Sequence, residues 1–175
     1  MKRSEINREI LKALHFFEEM KVKLPPWGYW SPGEWKQNAE KCQELIDLQL
    51  GWDLTDFGSG AYHDTGLLLF TLRNGNPAQD QKPYAEKIMI VEEGQLTPMH
   101  FHWNKMEDII NRGGGNLMIQ LYPSGKKQEL ADQNFNVSIN GISRTLAAGA
   151  MVRLVPGESI TLYPGLYHKF YGEPG

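Results

Sequence analysis

Two histidines separated by one residue, His100 and His102, stand in a run of strand-forming residues. Along an extended chain, residues i and i+2 project to the same face. The two imidazoles therefore stand side by side, and Phe101 and Trp103 take the opposite face. Glu107 follows after four residues, room for a tight bend or the start of another strand, and can bring a carboxylate into the same pocket. His168 comes much later, in the run Pro164-Gly165-Leu166-Tyr167-His168, where a neighbouring strand can carry it across to the pair. Three neutral imidazoles and one carboxylate make a mixed nitrogen and oxygen donor set. It suits Mn, Fe, Co, Ni or Zn and leaves positions open for water or substrate. The competing reading is a barrel interior that carries a few polar side chains. A His-x-His pair alone would not separate the two readings; the glutamate and the late histidine favour the metal site.

Positioning these residues requires strands, and the chain changes character near residue 50. Before it, Ile6, Ile10, Ala13, Leu14 and Phe17 recur at three- and four-residue spacing, one face of an amphipathic helix. Ser4 reads as its N-cap, and Pro25-Pro26 bound its end. Ser31-Pro32-Gly33-Glu34 gives serine at the N-cap, proline at N1 and glutamate at N3, a capping box. The helix that follows is expected to reach about Asp47, with Trp35, Ala39, Cys42, Leu45 and Ile46 turned inward. After residue 50, short apolar or alternating runs predict strands at 66–73, 87–92, 99–103, 116–122, 134–139, 151–155, 159–162 and 168–171. Eight short strands without intervening helices indicate a mainly β barrel or sandwich. The expected organisation is a helical extension over 1–50 and a β-barrel domain over 51–175. The polar, turn-rich stretch 74–83 reads as an exposed loop.

Composition narrows the function classes. The chain has 175 residues, 41% of them hydrophobic, which fits one globular domain or one domain with an extension. A net charge of −3 argues against nucleic acid as a partner. The single cysteine, Cys42, excludes an intrachain disulfide framework and a cysteine-based zinc site, and its helical spacing marks it as a core residue. The most apolar run, 67–72, is too short to span a bilayer, and the N-terminus has no apolar signal-like core. No membrane association and a cytoplasmic location are expected.

The histidines and glycines carry a resemblance. Gly94, His100, His102, Glu107 and Gly114 match the first motif of the cupin superfamily with its spacing. Gly157, Tyr163-Pro164-Gly165 and His168 resemble the second motif, with Tyr163 and Gly172 standing where the motif has proline and asparagine. Three longer stretches, GWDLTDFGSG, KPYAEKIMIVEEGQLTPMHFHWNKMEDIINRGGGNL and PGESITLYPGLYHKFYGEPG, are similar to the bacterial D-lyxose ketol-isomerase family of cupin sugar isomerases. The resemblance implies a double-stranded β-helix (jelly-roll barrel) with an N-terminal helical extension. It implies His100, His102, Glu107 and His168 as metal ligands, manganese as the expected metal, a small sugar substrate and a homodimer. Zn, Ni, Fe or Co would be the ions a recombinant sample could carry instead. It also implies a further strand with another carboxylate beyond Gly175, and hence an uncovered strand edge that a second copy can pair.

Aldose–ketose exchange moves a proton between C1 and C2 through an enediol. The C–H bond is a weak acid until the neighbouring carbonyl is polarised, which a divalent metal can do, while a carboxylate shuttles the proton. The resemblance gives Glu107 either a ligand or an acid/base role. It makes Lys87 a candidate for holding a sugar hydroxyl or polarising the carbonyl, against the reading of an ordinary exposed lysine. Asp108 and Arg112 flank Glu107 and can orient ligands or form an external ion pair. Gly113-Gly114-Gly115 reads as a hairpin turn rather than a phosphate cradle. Asp56-Phe57-Gly58 lacks every companion motif of a kinase. Trp27, Tyr29, Trp30 and Trp35 read as packing of the extension or a dimer contact. Two other functions share the ligand set: a cupin dioxygenase, and a sugar-binding cupin without catalysis.

Overall fold

The computed structural model describes residues 1–76 and 82–175, so part of the predicted 74–83 loop lies outside the described residues. The chain forms two compact units, 1–60 with 67–90, and 61–66 with 91–175.

In the first unit, α1 (Arg3–Glu19) buries Ala13 and Phe17 on the expected face. Its N-cap is Lys2 rather than Ser4, and the Lys2 backbone N–H donates to the Glu5 carboxylate at 2.6 Å. A glutamate three residues on can close the end without a hydroxyl at the cap. A 3-10 turn at Pro26–Tyr29 leads to α2 (Pro32–Asn38). Here the capping box is as expected: Ser31 Oγ accepts from the Glu34 N–H at 3.3 Å, and Glu34 accepts from the Ser31 N–H at 2.7 Å.

The helix does not run unbroken to Asp47. A 3-10 segment at Ala39–Lys41 separates α2 from α3 (Gln43–Asp47). Because a 3-10 turn advances by three residues rather than 3.6, the apolar stripe loses its phase across it. Cys42 stays buried, but Ala39 and Ile46, expected inward, are exposed.

Strands β1 (Gly51–Thr55), β2 (Leu67–Arg73) and β3 (Glu86–Ile90) form an antiparallel sheet in that order. Phe70 is fully buried with Phe17 and Leu24, and its ring stacks on Trp27 at 5.0 Å and meets Trp52 edge-on at 4.9 Å. Gly28 permits this approach, since a Cβ there would lie 2.9 Å from the Phe70 ring. Trp35, half-buried, meets Trp27 and Trp30 edge-on, so the tryptophans of the helical region pack on one another beside this core.

The second unit is built from two four-stranded antiparallel sheets. One holds β4 (Leu96–His100), β6 (Leu117–Tyr122), β9 (Met151–Leu154) and β11 (Tyr167–Gly172), in the order β4-β11-β6-β9. The other holds β5 (Glu107–Ile110), β7 (Phe135–Ile139), β8 (Ile142–Leu146) and β10 (Ser159–Leu162), in the order β5-β10-β7-β8. Non-sequential neighbours of this kind mark a jelly-roll rather than a meander. Burial alternates along β6, β9, β10 and β11, so each strand gives one face to the interior. Among the described residues there are eleven strands, three more than the sequence pattern gave: β1, β5 and β8. β8 is exposed along most of its length, which removes the alternation that would have revealed it.

One expectation changes here. β5 and β6 lie in different sheets, so Gly113–Gly115 bridges the sheets and is not a hairpin turn. The strand that carries His168, β11, is internal, paired with β4 and β6, while β4, β9, β5 and β8 are the end strands of the two sheets. No helix among the described residues is long and apolar enough to cross a membrane.

Candidate metal centre

His100 ends β4, His168 lies on β11, and the two face each other across the ladder. The register between these strands is irregular: His168 pairs with His100, while Phe170 pairs with Thr97, so two steps on β11 match three on β4. The extra residue falls at Pro98-Met99. Proline has no N–H to give the ladder, so a bulge is tolerated there, and it turns both Thr97 and His100 to one face.

The bulge also supplies a lock. The Pro98 carbonyl lies 2.7 Å from His100 Nδ1. A carbonyl only accepts, so Nδ1 carries the proton and Nε2 keeps its lone pair. His168 is held the same way, with Nδ1 donating to the Leu166 carbonyl at 3.0 Å. Both ring orientations are therefore fixed by backbone atoms, an arrangement that suits metal ligation through Nε2.

His102 lies beyond the end of β4, so strand alternation does not place it as the sequence pattern suggested. It still converges on the pair: its ring centroid is 5.1 Å from that of His100 and 5.5 Å from that of His168. The donor atoms of the three imidazoles all lie within 4.8 Å of one another. Glu107 opens β5 and turns one oxygen to the cluster, with Oε2 3.1 Å from His102 Nε2 and 3.7 Å from His168 Nε2. Its other oxygen, Oε1, is paired with Lys105.

Electrostatics favour the ligand forms of these groups. Burial drives the His168 imidazole down to a pKa of about 4, with His100 and His102 adding to the shift. Burial likewise lowers His102, against the opposing pull of Glu107. For Glu107, burial raises the carboxyl, but Lys105, His102 and His168 outweigh it and hold the group below its ordinary range. These shifts favour neutral His102 and His168 and an ionised Glu107, the protonation states a divalent cation requires. His168 Nε2 is buried with no hydrogen-bond partner among the described residues, which fits an atom that a cation would satisfy.

Asp108 and Arg112 flank Glu107 in sequence without joining the cluster. Asp108 accepts from Thr161 Oγ1 at 2.6 Å and, like Arg112, is exposed. Lys87 is an exposed residue of β3, opposite Thr71, in the first unit. Three contributors escaped the sequence reading: Lys105, the Pro98 carbonyl and the Leu166 carbonyl. Pro98 inside an apparent strand was the available signal for a bulge; the carbonyl locks had none.

A jelly-roll of this strand order, with a histidine cluster that could hold a metal ion, defines a cupin-like barrel. The sequence profile of the D-lyxose isomerase family matches residues 1–175, and the chain belongs to that family. It is 49% identical over 178 residues to the D-lyxose/D-mannose isomerase of Serratia proteamaculans, spanning 100% of this chain and 78% of that protein. The corresponding enzyme of Escherichia coli O157:H7 gives the same identity and coverage. The fold matches the structure of Cellulomonas parahominis L-ribose isomerase with L-psicose, at TM-score 0.61 and 17% identity, over 99% of this chain and 78% of that one. The ligand-free form of that protein gives TM-score 0.58. The chain is accordingly an aldose–ketose sugar isomerase.

Proposed function

We propose that the chain interconverts an aldose and a ketose of the D-lyxose/D-xylulose type through an enediol, with His100, His102, Glu107 and His168 holding one divalent transition metal. The observation that carries this reading is the convergence of three imidazoles within 4.8 Å, two of them locked by backbone carbonyls, beside a carboxylate held in its ionised form. Manganese is the metal the family resemblance favours. A bound divalent cation would polarise the sugar carbonyl and stabilise negative charge on O1 and O2.

The protein's own groups supply the rest. A carboxylate takes the proton from C2 of the aldose and returns it to C1, while the O2 proton passes to O1, so the products differ only in where the carbonyl stands. Glu107 is the described carboxylate at the cluster and is the candidate for this transfer unless it stays a ligand throughout. Lys87 is a second candidate, for holding a sugar hydroxyl, supported by the resemblance of the stretch 82–117. The two curated relatives are named for D-lyxose and D-mannose, which share their configuration from C2 to C4. A site that reads those centres would accept both. The resemblance also supports a cytoplasmic homodimer.

Elemental analysis followed by Mn(II) reconstitution tests this reading. The expected result is about one metal per chain and turnover of D-lyxose with solvent deuterium appearing in the product. A metal-loaded protein that consumed oxygen and exchanged no deuterium would instead support the dioxygenase reading. Sugar binding without exchange would leave a binding protein.

A further inference from the structure

The three histidines of the cluster are not fixed alike. His100 and His168 sit on paired strands and are locked at Nδ1. His102 lies outside the ladder, and its ring meets only Glu107 among the hydrogen-bonding and ion-pair contacts described. Something other than a ring hydrogen bond to the backbone must hold it.

Two contacts on the opposite face do so. The His102 carbonyl accepts from the N–H of Gly165 at 2.9 Å. Gly165 is in the left-handed region, at φ +80°, in a turn where Leu166 N–H donates to the Tyr163 carbonyl at 3.1 Å. Proline before a left-handed glycine is the residue order of a type II turn, which aims the Gly165 N–H outward at His102. The Phe101 ring, between the two ligands of the first motif, packs on Tyr167 at 4.6 Å and on Trp103 at 4.7 Å. Tyr167 immediately precedes His168, and its hydroxyl donates to the Gln128 carbonyl at 2.6 Å, fixing that ring from a third segment.

We propose that Phe101 and Tyr167 form an aromatic brace that positions His102 for metal ligation. They are positioning residues: they project away from the cluster and act on it through the backbone they clamp. The proposal rests on the metal-site reading above. It adds that the affinity of the site is set partly by ring packing between the two histidine motifs, on the side away from the metal. Partners that orient ligands without touching the metal typically contribute a factor of about 10–100 in affinity.

Co(II) titration of the full chain, followed by visible absorption, tests this, because the d–d bands report ligand geometry independently of turnover. Phe101→Ala is expected to weaken Co(II) binding about 10-fold and alter the bands. Phe101→Tyr, which keeps the ring, and Tyr167→Phe, which loses only the hydroxyl, are expected to bind within about threefold of the wild type. Should Phe101→Ala fail to fold by circular dichroism, Phe101→Leu keeps the bulk without ring packing and is expected to show the same direction of change. Wild-type affinity and an unchanged spectrum in the folded alanine or leucine variant overturn the brace and leave the metal reading standing. A wild-type protein that binds no Co(II) overturns both.

Discussion

The two units bury different chemistry. In the first, Phe17, Leu24 and Phe70 form an apolar core lined by Trp27 and Trp52, and the buried Glu9 is paired with Arg8 and Lys12. In the second, the buried set includes Gln95, Thr97, Asn111 and His168. Gln95 and Asn111 are satisfied: Gln95 donates to the Tyr62 carbonyl at 2.7 Å, and Asn111 donates to the carbonyls of Gly115 and Leu154 at 2.9 Å. Thr97 Oγ1 and His168 Nε2 have no hydrogen-bond partner among the described residues. Leaving a polar atom buried and unpaired costs about 1–3 kcal/mol. The first unit is arranged for packing, whereas the second gives up some stability at the strands that bear the ligands.

Replacing His168 by leucine separates the two roles most sharply. The variant is expected to lose the metal and more than about 100-fold in turnover, since a ligand matters more than the partners that orient it. Its metal-free stability at neutral pH should stay within about 1 kcal/mol of the wild type, because the substitution removes an unsatisfied group along with its one hydrogen bond. Elemental analysis and urea denaturation measure the two quantities. A loss of several kcal/mol would make His168 a structural core residue and erase the contrast between the units.

Phe70→Ala should behave in the opposite way. Its ring has no exposure and contacts two tryptophans, so truncation is expected to destabilise by about 3–5 kcal/mol. Metal content per folded chain should be unchanged. A metal site lost at temperatures where the variant is still folded would show that the contrast is not one of separate roles.

Acid provides the next test. The folded-state pKa of His168 is pushed below its ordinary 6.5 to about 4. Between those values the unfolded chain binds a proton that the folded chain refuses, so stability rises with pH. The contribution is fully present above about 6.5 and is lost as pH falls toward 4, amounting to about 3 kcal/mol. Glu107, held below its ordinary range, acts in the same direction at lower pH. Urea midpoints of chelator-treated protein from pH 7 to pH 4 should show this slope, and His168→Leu should flatten it. An equal slope in that variant would assign the acid sensitivity elsewhere.

How much of this was legible in the sequence follows the same division. The ligand residues could be read because their chemistry is written in residue type and spacing. The pairing of His100 with His168 could not, since it depends on a sheet order in which β11 lies between β4 and β6. The placement of His102 was read from strand alternation, yet β4 ends at His100, after the bulge at Pro98-Met99. In the helical region, the Ser31 cap was legible because its partners lie three residues apart. The break at Ala39–Lys41 was not, because no proline or glycine marks it. Local hydrogen bonds leave a sequence signature; register and long-range backbone contacts leave a weak one.

Ser31→Ala is the smallest effect and the one that isolates the local level. Ser31 Oγ accepts the Glu34 N–H at 3.3 Å and donates to the Glu34 carboxylate at 2.8 Å on an exposed turn, so its removal leaves both Glu34 groups to water and buries nothing. Losing such a cap costs about 1 kcal/mol. The reciprocal bond, from the Ser31 backbone N–H to Glu34 at 2.7 Å, survives the substitution and should keep the loss at the lower end. Thermal denaturation is expected to register a small drop, with Co(II) affinity and isomerase turnover unchanged. A change in metal affinity would mean that the cap of a seven-residue helix in the first unit reaches the ligands of the second. The two units would then have to be treated as one cooperative structure despite the different chemistry they bury.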